Sequence, residues 1–146
     1  MHRELITFEV SGQLFGLDIM AIREIRAWSP VTRLPNVPAY VAGVVNLRGA
    51  VLPVIDLAAR LGWETTQATQ RHAIIVAQLG GQAFGLIVES VSDIVTISGD
   101  ALQQPTAIAG DAIASFLEGL AAVEEQMVMV LDLTKLGDVE SQREAA

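Results

Sequence analysis

Apolar and polar residues alternate with the period of a strand almost from the start of the chain. Leu5-Ile6-Thr7-Phe8-Glu9-Val10 leads through Ser11-Gly12 into Leu14-Phe15-Gly16-Leu17, the sequence form of a β-hairpin. The same form returns in the second half. Residues 5–28 overlay 74–97 without a gap at an offset of 69, with Gly12-Gln13-Leu14-Phe15-Gly16-Leu17 falling on Gly81-Gln82-Ala83-Phe84-Gly85-Leu86. Ile22 then falls on Val91, Glu24 on Asp93 and Ile25 on Ile94.

A second block repeats at an offset of 76, residues 43–57 falling on 119–133, with Val54-Ile55-Asp56-Leu57 on Val130-Leu131-Asp132-Leu133. The change of offset inserts seven residues into the second copy between 98 and 110, which predicts a longer loop there. Each second block reads as two strands around a tight turn, Arg48-Gly49 in one copy and Glu125-Gln126 in the other. Pro53 lacks a ladder donor, so its strand should be an edge or carry a bulge. Asn36-Val37-Pro38 has the form of a helix cap with proline in the first turn, and Gly43 is placed to end that turn, as Asp111 and Gly119 bracket another. Residues 57–61, stopped by Gly62, read as a short helical piece, and the polar stretch 63–70 as the linker between copies.

The expected fold is therefore mainly β, with about five short strands per copy, a number that suits a small closed or partly closed barrel. A unit of about 65 residues is marginal alone, so the two copies should share an apolar seam within a single domain. The expected subdomains run from about 5 to 62 and from about 71 to 137, with a charged, frayed tail from 138 to 146.

Composition narrows the function. Hydrophobic residues make up 51% of the 146, which supports a real core, but no apolar stretch reaches the roughly 20 residues of a membrane helix. The opening segment has no signal-peptide core, so a cytoplasmic location is expected. Cysteine is absent, which excludes disulfides and thiol chemistry, and His2 and His72 are the sole imidazoles. No phosphate loop and no nucleophile with a base are recognisable, so neither catalysis nor a metal or cofactor is expected. A net charge of −8 disfavours nucleic acid and anionic lipid and leaves other proteins as partners.

The repeat also separates fold from function, because residues kept in both copies are explained by packing. Gly16 and Gly85 belong there, as sites of close backbone approach. Arg48 does not, since its counterpart is Glu124, although an exposed turn residue needs no specific role. Along 22–28, alternation puts Ile22, Glu24, Arg26 and Trp28 on one face and Ile25 and Ala27 on the other. The first set mixes apolar anchors with both charges, as a protein interface does, and equally as a half-exposed edge does.

Phe15-Gly16-Leu17-Asp18-Ile19, Ile22-Arg23-Glu24-Ile25, Val31-Thr32-Arg33, Gly43-Val44-Val45-Asn46-Leu47-Arg48-Gly49 and Val54-Ile55-Asp56-Leu57 resemble the CheW family of bacterial chemotaxis adaptors, over nearly the whole chain. Phe84-Gly85-Leu86-Ile87-Val88 and Val91-Ser92-Asp93 are similar to that family in the second half. The resemblance implies two five-stranded SH3-like barrels around a shared core, and a non-enzymatic adaptor. Its partners would be the cytoplasmic tip of methyl-accepting chemoreceptors and the regulatory domain of a CheA-type histidine kinase, in receptor arrays at the inner membrane. Positions similar to the family's contacts are Ile22, Glu24, Gly43, Arg48, Val91 and Ile94. A regulatory domain detached from a CheA or CheV-type protein is the neighbouring alternative. A small β-barrel hydrolase or sugar-binding enzyme is the distant one.

Overall fold

A computed structural model describes residues 2–104 and 111–136. Among these residues there are ten strands: β1 (His2–Val10), β2 (Gln13–Asp18), β3 (Ile22–Ala27), β4 (Val41–Leu47), β5 (Ala50–Asp56), β6 (Ala73–Leu79), β7 (Gln82–Val88), β8 (Ser90–Ser98), β9 (Leu117–Val123) and β10 (Gln126–Leu131). Single turns of helix follow as α1 (Leu57–Arg60), α2 (Asp111–Ala114) and α3 (Leu133–Leu136).

The strands form two five-stranded sheets, ordered β8-β1-β2-β10-β9 and β3-β6-β7-β5-β4. Both sheets draw on both copies of the repeat, so the contiguous subdomains expected at 5–62 and 71–137 do not correspond to the sheets. Instead each copy's first hairpin is exchanged. The β1–β2 hairpin joins three strands of the second copy, and β6–β7 joins three of the first. Four pairings make the exchange, β1 with β8 and β3 with β6 antiparallel and two parallel ones, with Val54 opposite Gly85 in one sheet and Val130 opposite Gly16 in the other. These are equivalent pairs under the two sequence offsets.

Burial explains why the central strands read as unbroken apolar runs, since both of their faces are covered. Ile74, Val76 and Ile87 pack inside their own sheet with Leu52 and Val54, whereas Ile75, Ala77, Phe84, Leu86 and Val88 face the other sheet. Leu5, Ile97, Ala121, Val128 and Val130 fill the second sheet in the same way. Between the sheets, Phe8, Phe15, Leu17, Ile55, Leu57, Leu117 and Leu131 form the common core. Phe8 and Phe15 stack with ring centroids 6.1 Å apart. The guanidinium of Arg60 lies 4.5 Å over Tyr40 and 4.7 Å over Phe116, one aromatic from each copy, and donates to the Lys135 carbonyl at 3.1 Å. Its Nε is buried without a partner among the described residues.

Several local expectations change. The second-copy turn is Glu124-Glu125, one residue earlier than expected, because Val123 pairs with Gln126. Both glutamates have positive φ, as do Arg48 and Gly49, so the two hairpins share one turn geometry. The strand carrying Pro53 is internal, lying between β7 and β4; its parallel pairing with β7 begins at Val54, just beyond the missing donor. The linker is pinned more firmly than its polarity suggested. Trp63 packs 5.9 Å from Phe15, and the buried Asp56 carboxylate accepts hydrogen bonds from both the N–H and the hydroxyl of Thr66 at 2.7 Å. In the long loop, Gly99–Ala101 is a 3-10 turn, while 105–110 and the tail 138–146 lie outside the described residues.

Gly43 ends no helix, since residues 36–43 contain none and Gly43 lies within β4. There Thr32, downstream of β3, exchanges backbone hydrogen bonds with Val44, and Gln103 does the same with Leu120 in the other sheet. These bridges draw each sheet round toward a barrel. A Cβ on Gly43 would overlap the Thr32 carbonyl, and one on Gly119 would lie 2.7 Å from the Gln103 oxygen. Both glycines exist so that the closing segment can approach.

Gly43→Ala is accordingly expected to lower stability by about 1–3 kcal/mol, the range for overpacking, measured by urea unfolding. Exchange of the hairpins ties the two sheets together. Calorimetry of the whole protein should therefore show one transition, and two resolved transitions would refute that coupling.

Candidate functional site

β3 opens with a bulge at Arg23, where Ile22 opposes Ala77 and Glu24 opposes Val76. Ile22, Glu24 and Arg26 are half-buried while Arg23, Ile25 and Ala27 are exposed, which matches the expected alternation. Ile22 packs against the core between the sheets, and Trp28 against the core of its own sheet.

The tip of the β4–β5 hairpin stands across from this strand. Asn46 Oδ1 accepts from the Gly49 N–H at 2.9 Å, which holds the turn, and Arg48 sits at its head with φ of 51°. Arg48 Nη2 donates to Glu24 Oε2 at 3.1 Å, and Arg26 Nη1 donates to Glu24 Oε1 at 3.2 Å. One carboxylate thus divides itself between two guanidinium groups. The Arg26 hydrogen bond, then that of Arg48, holds the Glu24 carboxyl below the usual glutamate range. The Arg48 side chain remains 67% exposed, so most of its donors face outward. Beside the pair opens a recess of about 400 Å³ lined by Arg23, Leu47, Val51 and Leu52 among others. Val51 projects from it, largely exposed.

Four of the six expected contact positions therefore lie in one sheet, but they differ in kind. Glu24 and Arg48 touch and face outward; Ile22 is tucked toward the inter-sheet core; Gly43 is buried and serves barrel closure. Val91 and Ile94 belong to β8 in the other sheet and do not join the pair. Val91 packs against the inter-sheet core as its counterpart Ile22 does, and Ile94 is 53% exposed.

Residues that the sequence reading passed over include Val51 and Met127, both exposed and equivalent at the offset of 76. Apolar side chains at outward positions in both copies were the available signal. The turn between β2 and β3 adds Met20, 89% exposed, its N–H held by Asp18 Oδ1 at 2.9 Å. His72 has a structural task, its Nδ1 accepting from the Thr69 N–H at 3.0 Å. Among the described residues no group of three or more potential metal ligands comes together, and no helix is long and apolar enough to cross a membrane.

Two exchanged, half-closed barrels with charged and apolar groups displayed at their ends make a protein-binding scaffold. The model of the CheW-like domain matches residues 4–140. The chain is 49% identical to the chemotaxis protein CheW of Rhizobium meliloti over 99% of this chain and 92% of that protein. It is 31% identical to the chemotaxis protein CheW of Klebsiella aerogenes, over 92% of this chain and 81% of that one. The crystal structure of the scaffolding protein TtCheW from Thermoanaerobacter tengcongensis superposes with a TM-score of 0.82 at 30% identity, covering 91% of this chain and 86% of that one. The chain belongs to the CheW family, and it is a non-catalytic adaptor of chemotaxis signalling.

The electrostatics of Glu24 can be tested by pH. A lowered carboxyl pKa means that its contribution is complete above the ordinary value of 4.5 and lost only as pH falls through the lower one. Side-chain carbon NMR should find the Glu24 midpoint below 4.5 and show it rising in both Arg26→Ala and Arg48→Ala.

Proposed function

We propose that this chain couples the cytoplasmic tip of methyl-accepting chemoreceptors to the regulatory domain of a CheA-type histidine kinase, within arrays at the inner membrane. The observation that carries this reading is the Glu24–Arg48 pair. Its arginine is held in place by a carboxylate that Arg26 also anchors, yet most of its donors are free for a partner, beside a recess and the exposed Val51. That combination of an oriented charge and an apolar anchor is what an interface needs. Ile22 and Val91 flank the junction of the sheets, Ile94 offers a second exposed anchor on β8, and Gly43 contributes by keeping β4 close to Thr32. The net charge of −8 favours protein partners over nucleic acid.

Arg48→Ala and Glu24→Ala should fold with nearly unchanged Tm, because neither side chain is in the core. Binding to purified receptor fragment or kinase regulatory domain should weaken by at least about tenfold, as when an interfacial charge loses its partner. Titration calorimetry of both partners against each variant decides it. Unchanged affinities for both would return the pair to the solvated surface.

A further inference from the structure

The two sheets are copies of one another, but their open seams are finished differently. In each, the segment that follows one outer strand bridges to the other outer strand, through Thr32–Val44 or Gln103–Leu120. Toward the hairpin tips, β3 and β4 in one sheet and β8 and β9 in the other are not paired with each other among the described residues. Glu24 and Arg48 span the first seam. The equivalent positions of the second seam hold Asp93 and Glu124.

Two carboxylates cannot bridge a seam. What remains is a groove of about 480 Å³, running along β8 from Asp93 to Ser98 and bounded by Ala122, Val123 and Glu124. Its apolar contributions come from Ile94, Val95, Ile97 and Val123, and none of its lining residues is basic. The strand that forms its long wall is an outer one, paired to β1 alone among the described residues. At Ile94 the backbone N–H donates to the carboxylate of its neighbour Asp93 at 2.8 Å, a side-chain acceptor standing where the carbonyl of an added strand would accept.

We propose that this groove accepts an extended segment of a partner protein that carries lysine or arginine. The segment lies along the edge of β8 as an added strand, with an apolar residue on Ile94. Its cation sits between Asp93 and Glu124, as Arg48 sits against Glu24 in the other sheet. Charge complementarity selects this occupant over the chain's own C-terminal residues, where Asp138, Glu140 and Glu144 outnumber Arg143. The proposal rests on reading β8 as a contact surface and adds the chemistry that surface takes.

The probes are two peptides added to the full chain, one of alternating valine and arginine, the other with glutamate in place of arginine. The arginine peptide should bind, more weakly as salt rises, and slow amide exchange in β8; the glutamate peptide should not bind. Asp93→Asn and Glu124→Gln should each weaken binding by at least about tenfold at unchanged Tm. Glu124→Arg supplies the missing cation from within, so it should pair with Asp93 and abolish binding. Binding that survives Glu124→Arg, or that leaves β8 exchange untouched, overturns the proposal, as does absence of binding by the arginine peptide. Self-association of the chain alone that is lost in both Glu124→Arg and Arg48→Glu would identify a second copy as the occupant, and overturns it too. The groove variants leave Glu24 and Arg48 in place. A groove that binds nothing, in a chain that still loses receptor or kinase binding on Arg48→Ala, refutes this inference and leaves the assignment of that pair standing.

Discussion

Everything in this molecule depends on the exchange of the two hairpins across a common apolar core. The parallel contacts of β2 with β10 and of β5 with β7 make each sheet incomplete without strands from both copies. The buried side chains of those strands then have two faces to cover, and the second face is the other sheet. Phe8, Phe15, Phe84 and Leu86 would be exposed on either sheet alone. That arrangement answers the problem of a small unit whose surface is large for its core, because a cluster between the sheets is added to the one inside each sheet. The arginine held between Tyr40 and Phe116 lies at the same junction, and its place can be filled from one copy alone, since the residue equivalent to Arg60 is the fully buried Leu136.

The exchange frees the barrel ends for function. With stability concentrated in the inter-sheet core, the hairpin tips and outer strands carry charges and exposed apolar groups that packing does not require. Symmetry in the backbone then coexists with asymmetry in charge. The same turn geometry presents Arg48 at one end and Glu124 at the other, and the same strand position presents Glu24 at one end and Asp93 at the other. A scaffold built this way offers two surfaces of related shape and different electrostatic character, an ion pair at one and two carboxylates at the other.

Much of this was legible in the residues. The two offsets identified the duplication, the strand alternation identified β3 and its half-buried face, and the rule that packing residues recur in both copies correctly marks Gly16 and Gly85. A Cβ on Gly85 would lie 2.7 Å from Ile74, and one on Gly16 3.0 Å from Val128. Gly43 and Gly119 obey that rule as well. The resemblance implies a contact role for Gly43, and its recurrence in the other copy adds a packing task beside it.

Local pattern by itself determined the hairpins, where their turns fall to within a residue, and which positions depart from the repeat, while the expected helical turn before Gly43 proved to be coil leading into β4. It could not determine which strands pair. Hydrophobic periodicity records that a face is buried and says nothing of what buries it, so contiguous halves and exchanged hairpins produce the same pattern of apolar residues. Tertiary structure alone decided the exchange, the approach of Thr32 to Gly43, the anchoring of the linker through Asp56 and Trp63, and the meeting of Glu24 with Arg48. Each is a contact between segments separated along the chain, set by how two curved sheets share one core.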